Sequence, residues 1–297
     1  MDSNFNKFET LNMSNIVFIA IQGATCTGKT TLAQNIASNL KEILCVEIIS
    51  LDNYYLPTPD LDCVNEYYNF DTPGALDFNS LDETLCAYIE EKQEIPKRKY
   101  DFMHMTSEKY LEKNTHPKVI ILEGLYAFNI FEKNIFDTTV LNPRMELNHL
   151  LRLNPKSFYI NNFFKIYKKG NCHIFKLLLP ISRELCRKIR LQRDCTLRFK
   201  EASDEFKKDC ARKFDHSIWP AINQWVYFKN NTYDYVIENG SRNVLECKSF
   251  ILNMYGLLKK THESITSNLK NGEKIILKDF NEIVFKIENN IVFDLED

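Results

Sequence analysis

The feature that most constrains this chain is the stretch Gly23–Thr30, which reads Gly-Ala-Thr-Cys-Thr-Gly-Lys-Thr. A glycine, four residues, then glycine, lysine and a hydroxyl is the spacing of a phosphate-binding loop, or P-loop. The glycines allow a tight turn whose backbone N–H groups point at phosphate oxygens, and the following helix adds its positive N-terminal end. The apolar run Ile16–Ile21 precedes the loop. The motif therefore predicts Lys29 at the β- and γ-phosphates of a nucleotide and Thr30 on Mg²⁺.

Composition and charge exclude several classes of protein. The 297 residues are 44% apolar and 26% charged, as in a globular protein of one large or two small domains. A net charge of -2 gives no overall attraction to nucleic acid or anionic membranes. The nine cysteines include no C-x-x-C pair, which indicates reduced thiols. Residues 1–14 do not resemble a signal peptide, and no apolar run is long enough to span a membrane. We therefore expect a cytoplasmic protein with no membrane partner and with an N-terminal extension over 1–14.

The order of apolar runs predicts an α/β fold. After Ile16–Ile21, four further short apolar runs indicate buried strands, at Leu44–Ile49, Val119–Leu122, Phe175–Leu179 and Tyr233–Ile237. Helical spacing occurs between them, at Thr30–Leu40, Ser80–Glu91, from about Ser182, over Phe206–Tyr227 with a break at Trp219-Pro220, and at Val244–Leu258. We expect one domain over 15–258 with a five-stranded parallel sheet, and a C-terminal appendage over 259–297.

Acidic side chains follow the predicted strands. Asp52 lies just after the second strand, where an open α/β sheet places its ligands, and is a candidate general base. A turn or N-cap aspartate is the alternative. Glu123 ends the third strand and is a candidate for holding Mg²⁺ with Asp52 and Thr30. The two oxygens of Asp71 could accept hydrogen bonds from a sugar diol.

Two further segments have the composition of binding elements. Ile95–Met105 is predicted to form a β-hairpin arm whose Tyr100 and Phe102 either pack against a flat base or cover the sheet. On the helix that begins near Ser182, Arg190 and Arg193 lie three residues apart and so share a face. Such a pair suits the clamping of a transferring phosphoryl group, with a solvated basic face as the alternative.

The segment over about 134–172 interrupts the α/β pattern. It mixes basic residues with aromatic ones, a composition that can bind single-stranded nucleic acid. The alternative is an insertion whose aromatic side chains pack on the parent domain, and this is the interpretation we favour.

Taken in order, these motifs resemble the uridine kinase (uridine-cytidine kinase) family of P-loop kinases, which is related to phosphoribulokinase and nicotinamide riboside kinase. The resemblance runs from about Ile16 to Leu257 without the insertion. The matching motifs are the P-loop, Asp52 at a strand end, Asn69-Phe70-Asp71-Thr72-Pro73, Tyr100-Asp101-Phe102, Glu123-Gly124, and Arg190-x-x-Arg193-Asp194-x-x-x-Arg198.

The resemblance implies a three-layer P-loop NTPase fold with a β-hairpin arm and an arginine lid. It implies a kinase that transfers the γ-phosphate of ATP, with Mg²⁺, to the 5′-hydroxyl of uridine or cytidine in pyrimidine salvage. Asp52, Lys29 and Arg193 would be catalytic, while Asp71, Arg190, Tyr100, Phe102 and His104 would bind the nucleoside. The nucleotide would be bound by Arg198 and by Gly23, Ala24, Thr25, Cys26, Thr27, Gly28, Lys29, Thr30 and Thr31.

The departures from the family fall mainly on base recognition. Met105 and Ser107 stand where the family has histidine and arginine, His104 comes one place early, and Phe199 stands where the lid has glycine. Two alternatives therefore stay open: a nicotinamide riboside kinase, and a decayed P-loop protein that binds nucleotide or RNA. The expected partner is a small nucleoside rather than nucleic acid, and the family allows a homo-oligomer.

Overall fold

The computed structural model describes residues 16–57, 69–102, 104–132, 134–135, 159–160, 162–167, 172–198, 203–227 and 232–269. The predicted N-terminal extension, most of the insertion, and the chain from 270 onward lie outside these ranges. So does Phe199 in the predicted lid.

A five-stranded parallel sheet forms the centre of the fold, as predicted. In chain order the strands are β1 Ile16–Gly23, β2 Val46–Ser50, β3 Glu94–Asp101, β4 Thr106–Lys113, β5 Val119–Gly124, β6 Asn134–Ile135, β7 Tyr159–Ile160, β8 Cys172–Leu179 and β9 Tyr235–Val236. The central sheet has the order β2-β5-β1-β8-β9, and all its pairs are parallel. The P-loop strand β1 therefore lies in the middle, between β5 and β8.

Helices cover both faces of this sheet. They are α1 Lys29–Leu40, α2 Phe78–Ile89, α3 Asn162–Tyr167, α4 Arg183–Gln192, α5 Asp204–Lys213 and α6 Val244–Leu269, with a further helical stretch described below. Side chains of β1 point alternately to two cores. Val17 and Ile19 pack with α1 and α6, whereas Phe18 and Ala20 pack with α2 and α4. Both cores are apolar, which explains why β1 reads as a continuous hydrophobic run.

The arm is a two-stranded antiparallel hairpin of β3 and β4, in register from Glu94 opposite Lys113 to Asp101 opposite Thr106. It extends further than the predicted Ile95–Met105, because β4 is charged on both faces and lacks the apolar alternation that would reveal it. Lys97 attaches the arm to the sheet by donating to Glu47 on β2 at 2.6 Å.

The lid region consists of α4, the π-helical turns over Arg193–Arg198, and α5. Helical structure then continues to Val226 without the break expected at Trp219-Pro220. Proline is tolerated there because it falls in the first turn of the short helix Trp219–Ala221, which is flanked on both sides by π-helical turns.

The described part of the insertion is attached to the parent domain at Phe163. This ring is fully buried and makes edge-to-face contacts with Phe18 and Phe131. The Asp82 carboxylate on α2 accepts from the backbone N–H of Asn162 at 3.3 Å and of Phe163 at 2.8 Å, and so caps α3. For Phe163, packing on the parent domain is therefore the correct alternative.

The last helix is longer than predicted. α6 reaches Leu269, whereas the helical spacing ended at Leu258, so it crosses the proposed boundary between the kinase domain and the C-terminal appendage. Among the residues described, no helix combines the length and the hydropathy needed to cross a bilayer.

Candidate active site

The loop between β1 and α1 has the backbone conformation of an anion-binding turn. Cys26 and Gly28 both adopt left-handed conformations, with φ of 62° and 73°. A Cβ atom on Gly28 would lie 1.7 Å from Oγ of Ser241, so only glycine fits at this position. Lys29 folds back over the loop, and its Nζ donates to the Ala24 carbonyl at 2.8 Å. The lysine is thus held above the turn that would receive a phosphate.

Two acids and a hydroxyl meet beside this loop, at the carboxyl edge of the sheet. The Thr30 hydroxyl donates to Oε1 of Glu123 at 3.2 Å. Burial raises the pKa of Glu123, and the nearby charge of Asp52 raises it further, whereas Lys29 and two hydroxyls oppose the shift. Asp52 itself is exposed, and its backbone N–H donates to Ser50 Oγ at 3.4 Å. The predicted metal ligands are therefore grouped, as parallel strands β2 and β5 require.

These donors suit Mg²⁺ but do not form a complete protein cage. Hydroxyl and carboxylate oxygens are the ligands that Mg²⁺ prefers, and it usually keeps waters and substrate phosphates in its shell. Within the part of the chain that the structure describes, no three acidic, histidine or cysteine side chains form a metal-binding group. The residues present therefore fit a cation that is held jointly by the protein and a nucleotide.

A second ionic cluster joins the Asn69–Phe78 block to the lid. Nη1 of Arg190 lies 2.9 Å from both carboxylate oxygens of Asp71, and its Nε lies 3.3 Å from Asp194. Burial alone would lower the pKa of Arg190, but the two carboxylates outweigh it and raise that pKa. The Asp71 backbone is fixed as well, because its carbonyl accepts from the Tyr126 hydroxyl at 2.6 Å. Asp71 and Arg190 are thus brought together, as predicted for a ribose site.

Arg193 is the first residue of the π-helical turns that follow α4, and its side chain reaches the P-loop. Its Nε donates to Asp194 at 2.9 Å, and its Nη1 lies 3.5 Å from Oγ1 of Thr25. Arg198 lies in the following π-helical turn, of which the structure describes the backbone. The lid helix therefore connects the ribose side of the site to the phosphate side.

Aromatic rings form the wall next to Asp71. The Tyr55 ring lies 5.7 Å from Phe70, 5.5 Å from Tyr100 and 6.0 Å from Phe102, measured between centroids. Phe102 remains 48% exposed and presents a ring to solvent. Sequence reasoning missed Tyr55, although its position three residues after Asp52 was a usable signal. Burial and the charges of Asp52 and Asp71 raise the Tyr55 pKa, so its hydroxyl stays protonated.

The structure does not bring His104 into this wall. Its ring nitrogen Nδ1 lies 2.7 Å from Asp101 at the tip of the arm, and its side chain is 76% exposed. Met105, the next residue, is half-buried and packs on the same apolar cluster as Phe70 and Tyr100. Of these two neighbouring residues, Met105 therefore packs on the protein and His104 faces solvent.

A segment that sequence reasoning did not assign to the site supports the P-loop from behind. After β9 the chain turns through Asn239 and Gly240, which both have positive φ. The Ser241 backbone N–H donates to the Thr27 carbonyl, and Nη1 of Arg242 donates to the Cys26 carbonyl, each at 2.9 Å. The Asn-Gly dipeptide indicates a turn but gives no sign of this contact.

Comparison with known proteins finds relatives over the first half of the chain. Residues 18–142 match the model of the phosphoribulokinase / uridine kinase family. The uridine kinase of Mycoplasma pneumoniae is 34% identical over 110 residues, which cover 37% of this chain and 51% of that protein. The uridine kinase of Mycoplasma genitalium is 32% identical over 141 residues, which cover 46% of this chain and 63% of that protein. The chain thus spans about half to under two thirds of the length of these relatives.

A solved structure extends the similarity of the fold. A protein of Silicibacter sp. TM1040, assigned as a fructose transport system kinase, superimposes with a TM-score of 0.53 over 79% of this chain and 95% of its own. At 15% identity this likeness concerns the fold alone. The predicted three-layer α/β fold is confirmed, and the match of residues 18–142 to the model of the phosphoribulokinase / uridine kinase family confirms the resemblance deduced from the motifs.

Proposed function

We propose that this protein is an ATP-dependent nucleoside kinase, a phosphotransferase that moves the γ-phosphate to the 5′-hydroxyl of a ribonucleoside such as uridine or cytidine. The observation that carries the proposal is the continuity of the site. Thr30 contacts Glu123, whose pKa the nearby charge of Asp52 raises, Arg193 approaches Thr25 of the P-loop, and Arg190, three residues earlier, holds Asp71. The phosphate-binding loop is thereby linked to a candidate sugar site by direct contacts and lies beside a candidate base.

At the phosphate end of the site, the protein would act by stabilising the negative charge of the phosphates. The loop N–H groups and Lys29 would bind the β- and γ-phosphates, which requires Nζ to exchange the Ala24 carbonyl for a phosphate oxygen. Thr30, Glu123 and Asp52 would hold Mg²⁺, which supplies positive charge to the phosphate oxygens. Arg193 and Arg198 would neutralise the charge that spreads over the transferring group.

At the acceptor end the same edge of the sheet supplies the base. Asp52 would accept the proton of the attacking hydroxyl, since it is the exposed acid beside the loop. Asp71 and Arg190 would bind the ribose hydroxyls, with the carboxylate accepting and the guanidinium donating. Tyr100 and Phe102 would pack against the base, as their contact with Tyr55 allows.

One observation bears on which base is accepted. His104 is exposed and pairs with Asp101, so it does not lie with Tyr100 and Phe102, whose rings contact Tyr55. Nicotinamide riboside, the alternative acceptor from the sequence, is the second candidate. A decayed kinase that only binds nucleotide is the third possibility, and it is opposed by the joint presence of Lys29, Asp52 and Asp71.

The test is turnover of Mg²⁺ and ATP with a panel of uridine, cytidine, adenosine and nicotinamide riboside, by the wild type and by Asp52→Asn. We expect Asp52→Asn to bind ATP normally and to lose about 10²–10⁴-fold in kcat, the usual contribution of a general base. Asp209→Asn is the matched control, because this acid lies on α5 and pairs with Arg212. Unchanged turnover in Asp52→Asn would remove it from the mechanism, and ATP binding without phosphorylation of any acceptor would refute the kinase.

A further inference from the structure

The turn that follows β9 holds the P-loop through its carbonyl groups. We call residues 237–243 the backing turn. Arg242 donates to the Cys26 carbonyl and the Ser241 N–H donates to the Thr27 carbonyl, each at 2.9 Å. The two segments also touch at Gly240, where the backing turn has no side chain. A Cβ on Gly240 would lie 2.1 Å from the Thr27 carbonyl oxygen. Two consecutive P-loop carbonyls are therefore held from the same side.

Fixing these carbonyls fixes the opposite side of each peptide. A trans peptide is planar, so the C=O of one residue and the N–H of the next point in opposite directions. When the Cys26 carbonyl points at Arg242, the Thr27 N–H points away from it. In the same way, when the Thr27 carbonyl points at Ser241, the Gly28 N–H points away from Ser241. The contacts of the backing turn thus aim two successive N–H groups away from that turn.

The loop needs such support because its conformation is strained. Cys26 has a φ of 62°, a left-handed conformation that costs a residue with a Cβ about 1–2 kcal/mol. Relief of this strain requires rotation about the N–Cα bond of Cys26, which would displace the Cys26–Thr27 peptide and the N–H that it presents. A bond from a guanidinium is stronger than one between neutral groups. Arg242 is partly buried, which reduces competition from water.

We propose that Arg242 is a positioning residue that sets the phosphate affinity of the P-loop from behind, without contact with the nucleoside. The proposal rests on the proposed function only in taking the loop as a polyphosphate site. It assigns to the chain after β9 a role in binding phosphate. Two variants separate the side chain from the turn: Arg242→Met removes the donor, and Gly240→Ala pushes the turn away from Thr27 while Arg242 is retained.

The experiment measures the Kd of inorganic tripolyphosphate and of Mg²⁺-ATP by calorimetry, with amide hydrogen exchange at Thr27 and Gly28. We expect Arg242→Met to raise both Kd values by the same factor, about tenfold, which is the loss of one charge-assisted hydrogen bond. Exchange at the two amides should become faster. Arg242→Lys should recover most of the affinity, and Gly240→Ala should resemble Arg242→Met. The matched control is Arg183→Met, since Arg183 pairs with Asp215 at 2.7 Å, away from the loop.

The outcomes separate this inference from the proposed kinase activity. An unchanged Kd for tripolyphosphate in Arg242→Met, with the thermal unfolding temperature of the wild type, overturns the inference. So does weaker binding of ATP alone, because Arg242 would then contact the nucleoside part of the nucleotide. Tripolyphosphate binding by a wild type that phosphorylates no acceptor refutes the kinase and leaves Arg242 in its role. A wild type that binds neither ATP nor tripolyphosphate overturns both.

Discussion

We expect removal of the Arg190 side chain to cause a large loss in the free energy of unfolding. The Arg190 side chain is 15% exposed and that of Asp71 only 5%. Both Asp71 oxygens lie 2.9 Å from Nη1 of Arg190. Arg190→Met would leave the Asp71 charge buried without its guanidinium, and breaking a buried ion pair in this way costs about 3–5 kcal/mol.

Removal of the Asp71 charge should lower the free energy of unfolding less than removal of Arg190 does. In Asp71→Asn the guanidinium still pairs with Asp194 at 3.3 Å, so we expect a loss of about 1–3 kcal/mol, that of a buried hydrogen bond to a charged group. In the double variant neither charge remains unpaired. The double variant should therefore be more stable than the sum of the single changes implies, by about 2 kcal/mol or more.

The assay is urea unfolding of the wild type, both single variants and the double variant, followed by circular dichroism. Arg187→Met is the control on the same helix. Arg187 pairs with Asp215 with side chains 39% and 27% exposed, so its removal should cost about 1 kcal/mol or less. Additivity within about 0.5 kcal/mol, or a cost for Arg190→Met no greater than that of the control, would refute the reasoning.

Two further predictions concern the insertion and the loop. Phe163→Ala should lower the free energy of unfolding by about 3–5 kcal/mol, because the ring is fully buried, and should leave affinity for single-stranded DNA unchanged. A loss under about 1 kcal/mol in urea unfolding, or a fall in DNA affinity, would contradict the packing role. Gly28→Ala should weaken ATP binding at least tenfold, since the new Cβ meets Ser241 at a φ of 73°. Ser241→Gly added to Gly28→Ala should recover part of that loss in calorimetry, and no recovery would mean that the backbone conformation alone sets the cost.

The sequence determined the α/β fold because its signals are local. The run Ile16–Ile21 could only be a buried strand in this context, and a glycine-rich loop before a helix can bind phosphate wherever it occurs. Asp52 and Glu123 were found because strand ends in a parallel sheet share one edge, a rule that needs no coordinates. The arm was detected but its second strand was not, since exposed β4 has no apolar alternation.

The tertiary structure alone decided which distant side chains meet. Arg190 and Asp71 are far apart in sequence, and only the packing of α4 against the Asn69–Phe78 block gives them a shared ion pair. The same holds for Arg242 and the Cys26 carbonyl, whose contact depends on β9 lying at one edge of the sheet beside β8. His104 is the opposite case, because the tertiary structure keeps it apart from the residues with which its spacing grouped it. The spacing of His104 differs by one residue from that of the histidine in the family's arm, and the turn after Asp101 directs the His104 side chain to solvent while Met105 packs on the apolar cluster. Local sequence patterns indicate the backbone conformation and the burial of a segment. Contacts between distant residues depend on how several segments pack together, and no single segment encodes that packing.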